Sequence, residues 1–284
     1  MKPAGILTLS CPDRPGLVHA VSGYLFGVGT TIVESHQFGD PLHGRFFMRI
    51  RFDLLDPNFD IDAIRAGFDR IASAHDMTFE MIDAATPTRT LILVSKHGHC
   101  LNDLVFRART GSLNIEIPAV VSNHGDLRSL VESVGIPFHH VPVTPTTKAE
   151  SERAMLELVR EHDVDLVVLA RYMQVLSDDA CAALAGRAIN IHHSFLPSFV
   201  GARPYHQAHE RGVKLIGATA HYVTPELDEG PIIEQDVARV DHAHGPDELA
   251  AAGRDVEAQV LARAVKWHSE RRVLLNGNRT VVVR

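Results

Sequence analysis

Four near-continuous apolar runs in the second part of the chain restrict its fold more than any other feature. They read LILVS (91–95), IEIPAVVSN (115–123), VDLVVLA (164–170) and AINIH (188–192), and a stretch of helical pattern separates each run from the next. A run without polar alternation is typical of a parallel strand that helices cover on both faces. The sequence therefore predicts a doubly wound, mostly parallel, Rossmann-like α/β domain, in which ligands bind at the carboxyl ends of the strands.

The first 83 residues follow a different pattern, in which strand and helix signals alternate. Apolar residues recur at helical spacing from Leu17 and again from Ile61. Side chains from Phe46 to Asp53 alternate between apolar and polar, which is typical of a sheet covered on one face. The strand-like segments are GILTLS (5–10), TTIVESHQ (30–37), FFMRIRFD (46–53) and MTFEMID (77–83). Their order, βαββαβ, predicts a ferredoxin-like domain.

These patterns divide the chain into two predicted domains. Residues 1–83 form the ferredoxin-like domain, AATPT (84–88) is a linker with turn composition, and residues 89–284 form the α/β domain. Within the second domain, residues 246–272 read as one long helix. The Asn-Gly pair in VLLNGNRTVVV (273–283) indicates a closing hairpin.

Charge and hydropathy exclude two classes of partner. The 284 residues carry a formal net charge of −7 without a long run of Lys or Arg, so no nucleic-acid partner is expected. No apolar stretch approaches the ~18 residues of a membrane span, and Pro and Asp interrupt the N-terminus before a signal-peptide core could form. We therefore expect no membrane association and a cytoplasmic location.

Cysteine and histidine usage argues against a bound metal. The three cysteines are far apart and form no Cys-x-x-Cys motif, so free thiols are expected. Histidine is abundant, with 18 residues, but neither HGH (97–99) nor the HH pairs at 139–140 and 192–193 have the spacing of a strong zinc motif. The sequence predicts no metal site.

The end of the run AINIH carries polar residues that could take part in catalysis. Side chains alternate along a strand, so Asn190 and His192 share one face. An unpaired buried carboxamide costs about 1 to 3 kcal/mol, so Asn190 is either locked in a structural hydrogen bond or faces a polar pocket. Asp228 lies in an irregular segment further on and is either solvated or catalytic. Together the three residues would form an amide, imidazole and carboxylate set suited to acyl hydrolysis or transfer.

Several motifs resemble those of a known superfamily. NIHHSFLP (190–197), HYVTPELDEGPII (221–233) and ARYMQVLS (170–177) are similar to segments of the formyltetrahydrofolate-dependent formyltransferases and hydrolases. Residues 1–83 resemble an ACT domain, with CPDRPGL as its first loop. SKHGHCLNDL (95–104), together with this N-terminal module, narrows the resemblance to the hydrolases, and the match extends over essentially the whole chain.

The resemblance implies a role for each matching residue. Asn190, His192 and Asp228 correspond to the catalytic residues of the superfamily. The residues implied to contact the folate substrate are Arg171, Tyr172, Met173, Gln174, Val175, His221, Thr224, Leu227 and Gly230. Because folate is the substrate, the resemblance implies no separate cofactor.

The resemblance also implies an activity, the hydrolysis of 10-formyltetrahydrofolate to formate and tetrahydrofolate, which would supply formate for purine synthesis and balance one-carbon folate pools. Relatives that formylate glycinamide ribonucleotide carry a glycine-rich loop whose backbone amides hold the phosphate of the acceptor. The equivalent stretch here, SKHGHCLN (95–102), has a single glycine, which favours water as the acceptor. A formyltransferase with an amine acceptor is the alternative, and a non-enzymatic amino-acid sensor is a third hypothesis.

Several loop residues have more than one interpretation. Lys96 and Arg203 either hold the glutamate tail of folate or are solvated cations. His97 and His99 are predicted to be solvated rather than catalytic. His193 would point away from the catalytic pair if the strand continued, so a supporting structural role is predicted for it.

ACT domains often bind small amino acids at a subunit interface, so the resemblance implies an amino-acid effector and a homo-oligomer. The candidate effector residues are Asp13, Arg14 and Gly16, in the loop before the first helix. The alternative is structural, with Asp13 and Pro15 beginning the helix, since Pro suits the first helical turn. The sequence leaves open which effector binds, the sign of its effect, and the choice between dimer and tetramer.

Overall fold

The computed structural model describes residues 3–56, 60–196 and 204–284. Contacts divide the chain into two compact units. The first unit comprises Met1–Thr86, Glu270–Asn276 and Thr280–Arg284, and the second comprises Pro87–Ser269 and Gly277–Arg279. The domain prediction assigns all residues after 88 to one domain, whereas the structure groups most of the chain after Ser269 with the first unit.

The first unit begins with elements in the predicted order βαββαβ. They are β1 (Ala4–Pro12), α1 (Leu17–Gly27), β2 (Thr30–Asp40), β3 (Arg45–Leu54), α2 (Ile61–Ala74) and β4 (Thr78–Asp83). The strands form one antiparallel sheet in the order β2-β3-β1-β4, which is a ferredoxin-like arrangement. Leu25, Phe52 and Phe68 are fully buried in the core that the helices share with the sheet.

The period-two pattern predicts that one face of this sheet is open, and the structure corrects that prediction. Arg49 on β3 belongs to the polar half of the alternation, yet it is only 1% exposed. Its guanidinium donates to a carboxylate oxygen of Glu34 at 2.9 Å and to the backbone carbonyl of Glu270 at 3.0 Å. The C-terminal segment of the same unit therefore reaches the second face, and hydrogen bonds to a charge and a carbonyl compensate the burial of the guanidinium.

The second unit alternates strands and helices around one sheet. Its elements are β5 (Thr88–Val94), α3 (His99–Arg109), β6 (Ile115–Glu116), β7 (Val120–Ser122), α4 (Arg128–Glu132), β8 (Phe138–His140), α5 (Lys148–Glu161), β9 (Leu166–Leu169), α6 (Asp178–Ala183), β10 (Ala188–His192), α7 (Pro204–Glu210), β11 (Leu215–Tyr222), β12 (Ile232–Arg239) and α8 (Pro246–Ser269). The strand order is β12-β11-β10-β9-β5-β7-β8, with β6 beside β5. All pairs are parallel except β10 with β11 and β11 with β12, so the predicted mostly parallel α/β sheet is confirmed.

The apolar runs lie in this sheet and are buried on both faces, as the lack of alternation predicts. Ile92 and Leu93, which point to opposite faces of β5, are both fully buried. One run differs, because residues 115–123 form two short strands, β6 and β7, rather than one. Pro118 lies between them and has no N–H to donate to a strand ladder.

The C-terminal elements follow the sequence pattern closely. The strands β13 (Val273–Asn276) and β14 (Arg279–Val282) form the predicted hairpin, with Gly277 in the turn at φ +61°, which glycine adopts readily. All three cysteines are free and buried. Across residues 3–56, 60–196 and 204–284, no helix combines the length and apolar character of a membrane span.

Candidate active site

Strand β10 presents the predicted catalytic pair on one of its faces. The strand is parallel to β9 and antiparallel to β11, with Asn190 opposite His221. Ile189 and Ile191 are buried, at 0% and 3% exposure, whereas Asn190 and His192 on the alternate face are only half-buried. The alternation along β10 therefore directs the amide and the imidazole to the same side, at the carboxyl end of the strand.

Asp228 joins this pair from the irregular segment between β11 and β12. Its φ is +59°, in the left-handed region that Asp tolerates better than most residues. One carboxylate oxygen lies 3.1 Å from His192 Nδ1, and the other lies 3.6 Å from His221 Nε2. The amide nitrogen of Asn190 lies 3.3 Å from the same nitrogen of His221. We call these four residues, Asn190, His192, His221 and Asp228, the open cluster.

The charge of the open cluster is centred on Asp228. The hydrogen bond from His192 and the adjacent ring of His221 hold the pKa of its carboxyl well below the usual range, against the opposing effect of burial. The side chain is 24% exposed, so it is an ionised carboxylate that a small molecule can still reach. His221, by contrast, is only 3% exposed, and its Nδ1 donates to the backbone carbonyl of Tyr222 at 2.9 Å.

The second ring nitrogen of His192 bonds to the hydroxyl of Ser194 at 2.7 Å. Asp228, His192 and Ser194 are thus connected in the order of a serine triad. Ser194, however, is not among the residues that line the pocket holding Asn190 and Asp228, and it lines a second pocket that shares His193 with the first. Ser194 orients the imidazole, and the geometry gives no support for a covalent serine mechanism.

A pocket of about 230 Å³ lies over the open cluster. Besides the open cluster, the residues predicted for folate contact that line it are Arg171, Tyr172, Met173, Gln174, Val175, Thr224 and Leu227. Gly230 is not among the lining residues. It is buried, and a Cβ at this position would lie 1.7 Å from the carbonyl oxygen of Tyr222, so glycine is needed for the close backbone approach.

A buried serine fixes the loop that forms one wall of the pocket. Ser95, directly after β5, donates its backbone N–H to the carbonyl of Arg171 at 3.2 Å. Its hydroxyl accepts from the backbone N–H of Met173 at 3.0 Å and donates to Asn123 at 2.7 Å. The ends of β5 and β7 are thereby tied to the loop after β9, which carries Arg171 and Met173.

A second set of charged residues lies beside the pocket. Glu257 on α8 is 1% exposed, and its two carboxylate oxygens bond to Tyr205 Oη and His99 Nε2, each at 2.8 Å. Nε of Arg171 lies 3.4 Å from the oxygen that His99 contacts. We call these four residues, His99, Arg171, Tyr205 and Glu257, the closed cluster.

The closed cluster keeps its carboxyl ionised despite burial. Burial alone would raise the pKa of Glu257, but the hydrogen bond from His99, the charge of Arg171 and the hydrogen bond from Tyr205 together lower it. Arg171 has φ +64°, and its buried Nε and Nη1 have no hydrogen-bond partner among the residues that the structure describes. Gly253, one turn before Glu257, leaves room for Tyr205, because a Cβ there would lie 2.0 Å from the tyrosine hydroxyl.

Sequence reasoning missed the closed cluster almost entirely. His99 is predicted to be solvated, and this is wrong, because the side chain is 18% exposed and bonds to the buried carboxylate. The signal for Glu257 was present in the sequence, since Leu249, Gly253 and Leu261 precede and follow it at intervals of four residues on the buried stripe of α8. An acidic residue at such a position indicates a buried charge pair.

The structure also changes the interpretation of His193. The strand ends at His192, so the alternation does not continue, and the ring of His193 stacks on that of His192 with centroids 4.9 Å apart and an interplanar angle of 22°. His193 lines the same pocket as Asp228 instead of pointing away from it. Burial, with the nearby charges of Arg171 and His192, lowers its pKa to about 4, so the imidazole is neutral at physiological pH.

One group of residues has the composition of a metal site. His99, Cys100 and Glu257 place one donor atom each within 4.8 Å of one another. His99 and Glu257 are already bonded to each other, Arg171 brings a positive charge to the same carboxylate, and burial raises the pKa of the Cys100 thiol well above its usual value. A cation would need the thiolate and would be repelled by the guanidinium, so this donor set does not fit a divalent metal.

Of the remaining sequence candidates, those that the structure describes are not among the residues that line this pocket. Lys96 and His97 are exposed on the loop after β5, and Arg203 lies outside the described residues. In the first unit, Asp13 is exposed, and Arg14 pairs with Asp76 at 2.8 Å. Gly16, at φ +94°, immediately precedes α1.

Comparison with known proteins agrees with this geometry. Residues 88–265 match the formyl transferase family. The chain is 55% identical to a formyltetrahydrofolate deformylase from Corynebacterium sp. (strain P-1), and the match covers 98% of each chain. The crystal structure of a formyltetrahydrofolate deformylase from Burkholderia mallei superposes with a TM-score of 0.95 at 53% identity, covering 99% of this chain and 100% of that one. The chain belongs to the formyltetrahydrofolate deformylase family.

The deformylase family is distinguished here from the transferases by the extent of the match. The phosphoribosylglycinamide formyltransferase from Coxiella burnetii superposes with a TM-score of 0.64 at 28% identity, covering 69% of this chain and 93% of that one. The transferase is therefore matched almost completely by part of this chain, whereas the deformylases match it from end to end.

Proposed function

We propose that this chain hydrolyses 10-formyltetrahydrofolate to formate and tetrahydrofolate. The observation that carries the proposal is the open cluster at the base of a pocket, in a chain of the deformylase family. Its amide, imidazole and ionised carboxylate are the groups that acyl hydrolysis requires. In this proposal formate release serves purine synthesis and the balance of one-carbon folate pools.

Asp228 orients and deprotonates the attacking water. The water oxygen forms a bond to the formyl carbon while one of its protons passes to the carboxylate. Because the pKa of Asp228 is low, the carboxyl holds this proton only transiently and returns it to the leaving N10 nitrogen as the C–N10 bond breaks. Tetrahydrofolate leaves with the proton on N10, and the formyl carbon leaves as formic acid, which ionises to formate.

Asn190 and His192 stabilise the oxygen of the tetrahedral intermediate. A carboxamide has two N–H groups, so Asn190 can contact His221 with one and retain the other for the oxyanion. His192 lies beside this amide on the same face of β10, and Asp228 at Nδ1 and Ser194 at Nε2 orient its ring. Loss of one oxyanion donor typically costs about 2.7 to 4 kcal/mol of transition-state stabilisation.

Incubation of the purified protein with 10-formyltetrahydrofolate tests the proposal. We expect equal amounts of formate and tetrahydrofolate in the absence of any amine. Formyl transfer that strictly requires an added amine would instead establish the transferase alternative.

Since the proposed steps use only water and side chains, we also expect full activity after dialysis against a chelator. A loss of activity that zinc or another cation restores would contradict a cofactor-free reaction.

For the first unit we propose an ACT-type regulatory role in a cytoplasmic homo-oligomer. Its βαββαβ order and antiparallel sheet support this assignment, together with the loop that carries Asp13, Arg14 and Gly16. The test is a titration with each common amino acid, following the hydrolysis rate and the mass in solution. An effector should change the rate in the wild type but not in Asp13→Ala, and a rate unaffected by every amino acid would contradict this assignment.

A further inference from the structure

His193 lines the pocket, but the mechanism described above does not use it. Its ring stacks on His192 at 4.9 Å, and the pocket that it lines also holds Asn190 and Asp228. No residue in ranges 3–56, 60–196 and 204–284 hydrogen-bonds to this imidazole, although both neighbouring positions, His192 and Ser194, are bonded to each other. An imidazole that faces a pocket with its ring nitrogens available is positioned to contact a ligand or a water molecule.

Burial, more than the surrounding charges, keeps this imidazole neutral. Burial lowers the pKa of His193 most, Arg171 and His192 lower it further, and Glu257 and Asp228 oppose them. A neutral imidazole has one nitrogen that donates and one that accepts a hydrogen bond. The His193 ring, which lines the pocket, therefore has one acceptor nitrogen as well as one donor. Glu257 contributes indirectly, because it holds the Arg171 guanidinium in place.

Two acceptors orient an attacking water more strictly than one. When both of its hydrogen atoms are held, an oxygen lone pair keeps a fixed direction toward the formyl carbon. Asp228 accepts one hydrogen atom in the proposed mechanism, Arg171 can only donate, and both ring nitrogens of His192 are already engaged by Asp228 and Ser194. His193 brings a further acceptor to the same pocket.

We propose that His193 is a positioning residue for the hydrolytic water, accepting one of its hydrogen atoms while Asp228 accepts the other. The inference rests on the proposed hydrolysis. Orientation matters because water, the smallest nucleophile, reacts in a pocket that also holds the much larger folate in the proposed reaction. The proton that leaves the water still passes to Asp228 and then to N10, so His193 contributes orientation and remains neutral.

Two substitutions at His193 separate an acceptor from a stacking role. His193→Phe keeps a ring that can stack on His192 but removes the nitrogen, and His193→Gln removes the ring but keeps an acceptor. We expect kcat for formate release to fall on the order of 10- to 100-fold in His193→Phe, with KM changed less than about threefold. His193→Gln should recover at least about a tenth of the wild-type kcat.

Controls keep the test decisive. His97→Phe replaces an exposed histidine of the same unit and should match the wild type. Binding of tetrahydrofolate to each variant shows whether the pocket is folded. If His193→Phe does not fold, the same comparison is made with His193→Leu, which lacks an acceptor, and His193→Asn, which keeps one. If His193→Phe keeps more than half of the wild-type kcat, or if the Phe and Gln variants are equally impaired, His193 does not orient the water. A wild-type protein that releases no formate contradicts the hydrolase proposal itself, which makes the two failures distinguishable.

Discussion

The open and closed clusters each contain one ionised carboxylate, and they differ in how that carboxylate is held. Asp228 is 24% exposed on an irregular segment, and its contacts with two histidines are 3.1 and 3.6 Å long. Glu257 is 1% exposed on a helix, and its two oxygens accept hydrogen bonds of 2.8 Å. A carboxylate with short bonds and no access to solvent supports the structure, whereas a looser one that lines a pocket is available to exchange a proton with a ligand.

The largest effect on activity should follow from removing the charge of Asp228 in the open cluster. We expect Asp228→Asn to lower kcat/KM for formate release by at least about 1,000-fold, or about 4 kcal/mol, because the variant has neither base nor counter-charge. Its thermal unfolding should change little, since the side chain lies in a half-buried loop. Glu229→Gln, at the adjacent exposed position, is the matched control. Activity within tenfold of the wild type would remove Asp228 from the mechanism.

The closed cluster should give the opposite result. Glu257→Gln removes the charged partner of the Arg171 guanidinium and of His99. Loss of one side of a buried ion pair typically costs 3 to 5 kcal/mol. We therefore expect the free energy of unfolding, measured in denaturant, to fall by about 3 kcal/mol. Asp255→Asn, an exposed residue on the same helix, should have no measurable effect. If Glu257→Gln unfolds like the wild type, the cluster is not a structural support and the contrast between the two carboxylates fails.

A smaller change within the closed cluster sharpens the same contrast. Tyr205→Phe deletes one hydrogen bond to Glu257 while keeping the ring, and hydrogen bonds to charged groups contribute about 1.5 to 3 kcal/mol. We expect a loss of about 2 kcal/mol in the free energy of unfolding, with KM for the folate changed little. A fall in kcat as large as that of Asp228→Asn, without loss of stability, would place Tyr205 in the catalytic machinery instead.

The smallest effect concerns His193 and the pH dependence of stability. Its pKa is about 4 in the folded protein and ordinarily about 6.5, so between these values the unfolded chain binds the proton more tightly. Stability that is present above pH 6.5 is therefore lost as the pH falls toward 4. Allowing for partial exposure, we expect the wild type to lose about 1 to 2 kcal/mol more than His193→Phe between pH 7 and pH 5, measured by denaturant unfolding. Parallel curves for the two proteins would show that His193 is not held neutral.

Local patterns predicted the parts of the molecule that depend on local geometry. Uninterrupted apolar runs predicted the mostly parallel sheet, because a strand buried on both faces cannot alternate. The alternation along AINIH placed Asn190 and His192 on one face, since the side-chain period of a strand is two. The same rule was wrong for His193, because the strand ends one residue earlier and the stacking of two rings then decides the orientation.

The amino-acid sequence by itself therefore determined the two fold classes, the motifs of the deformylase family and the face that carries Asn190 and His192. Tertiary structure alone decided that His221 bridges Asn190 and Asp228, that His99 and Tyr205 meet on Glu257, and that the C-terminal segment groups with the first unit. The physical reason is the separation of these residues along the chain. Periodicity reports the environment of neighbouring residues, whereas these contacts join side chains from distant parts of the chain, and only the packing of whole elements brings their charges within hydrogen-bonding distance.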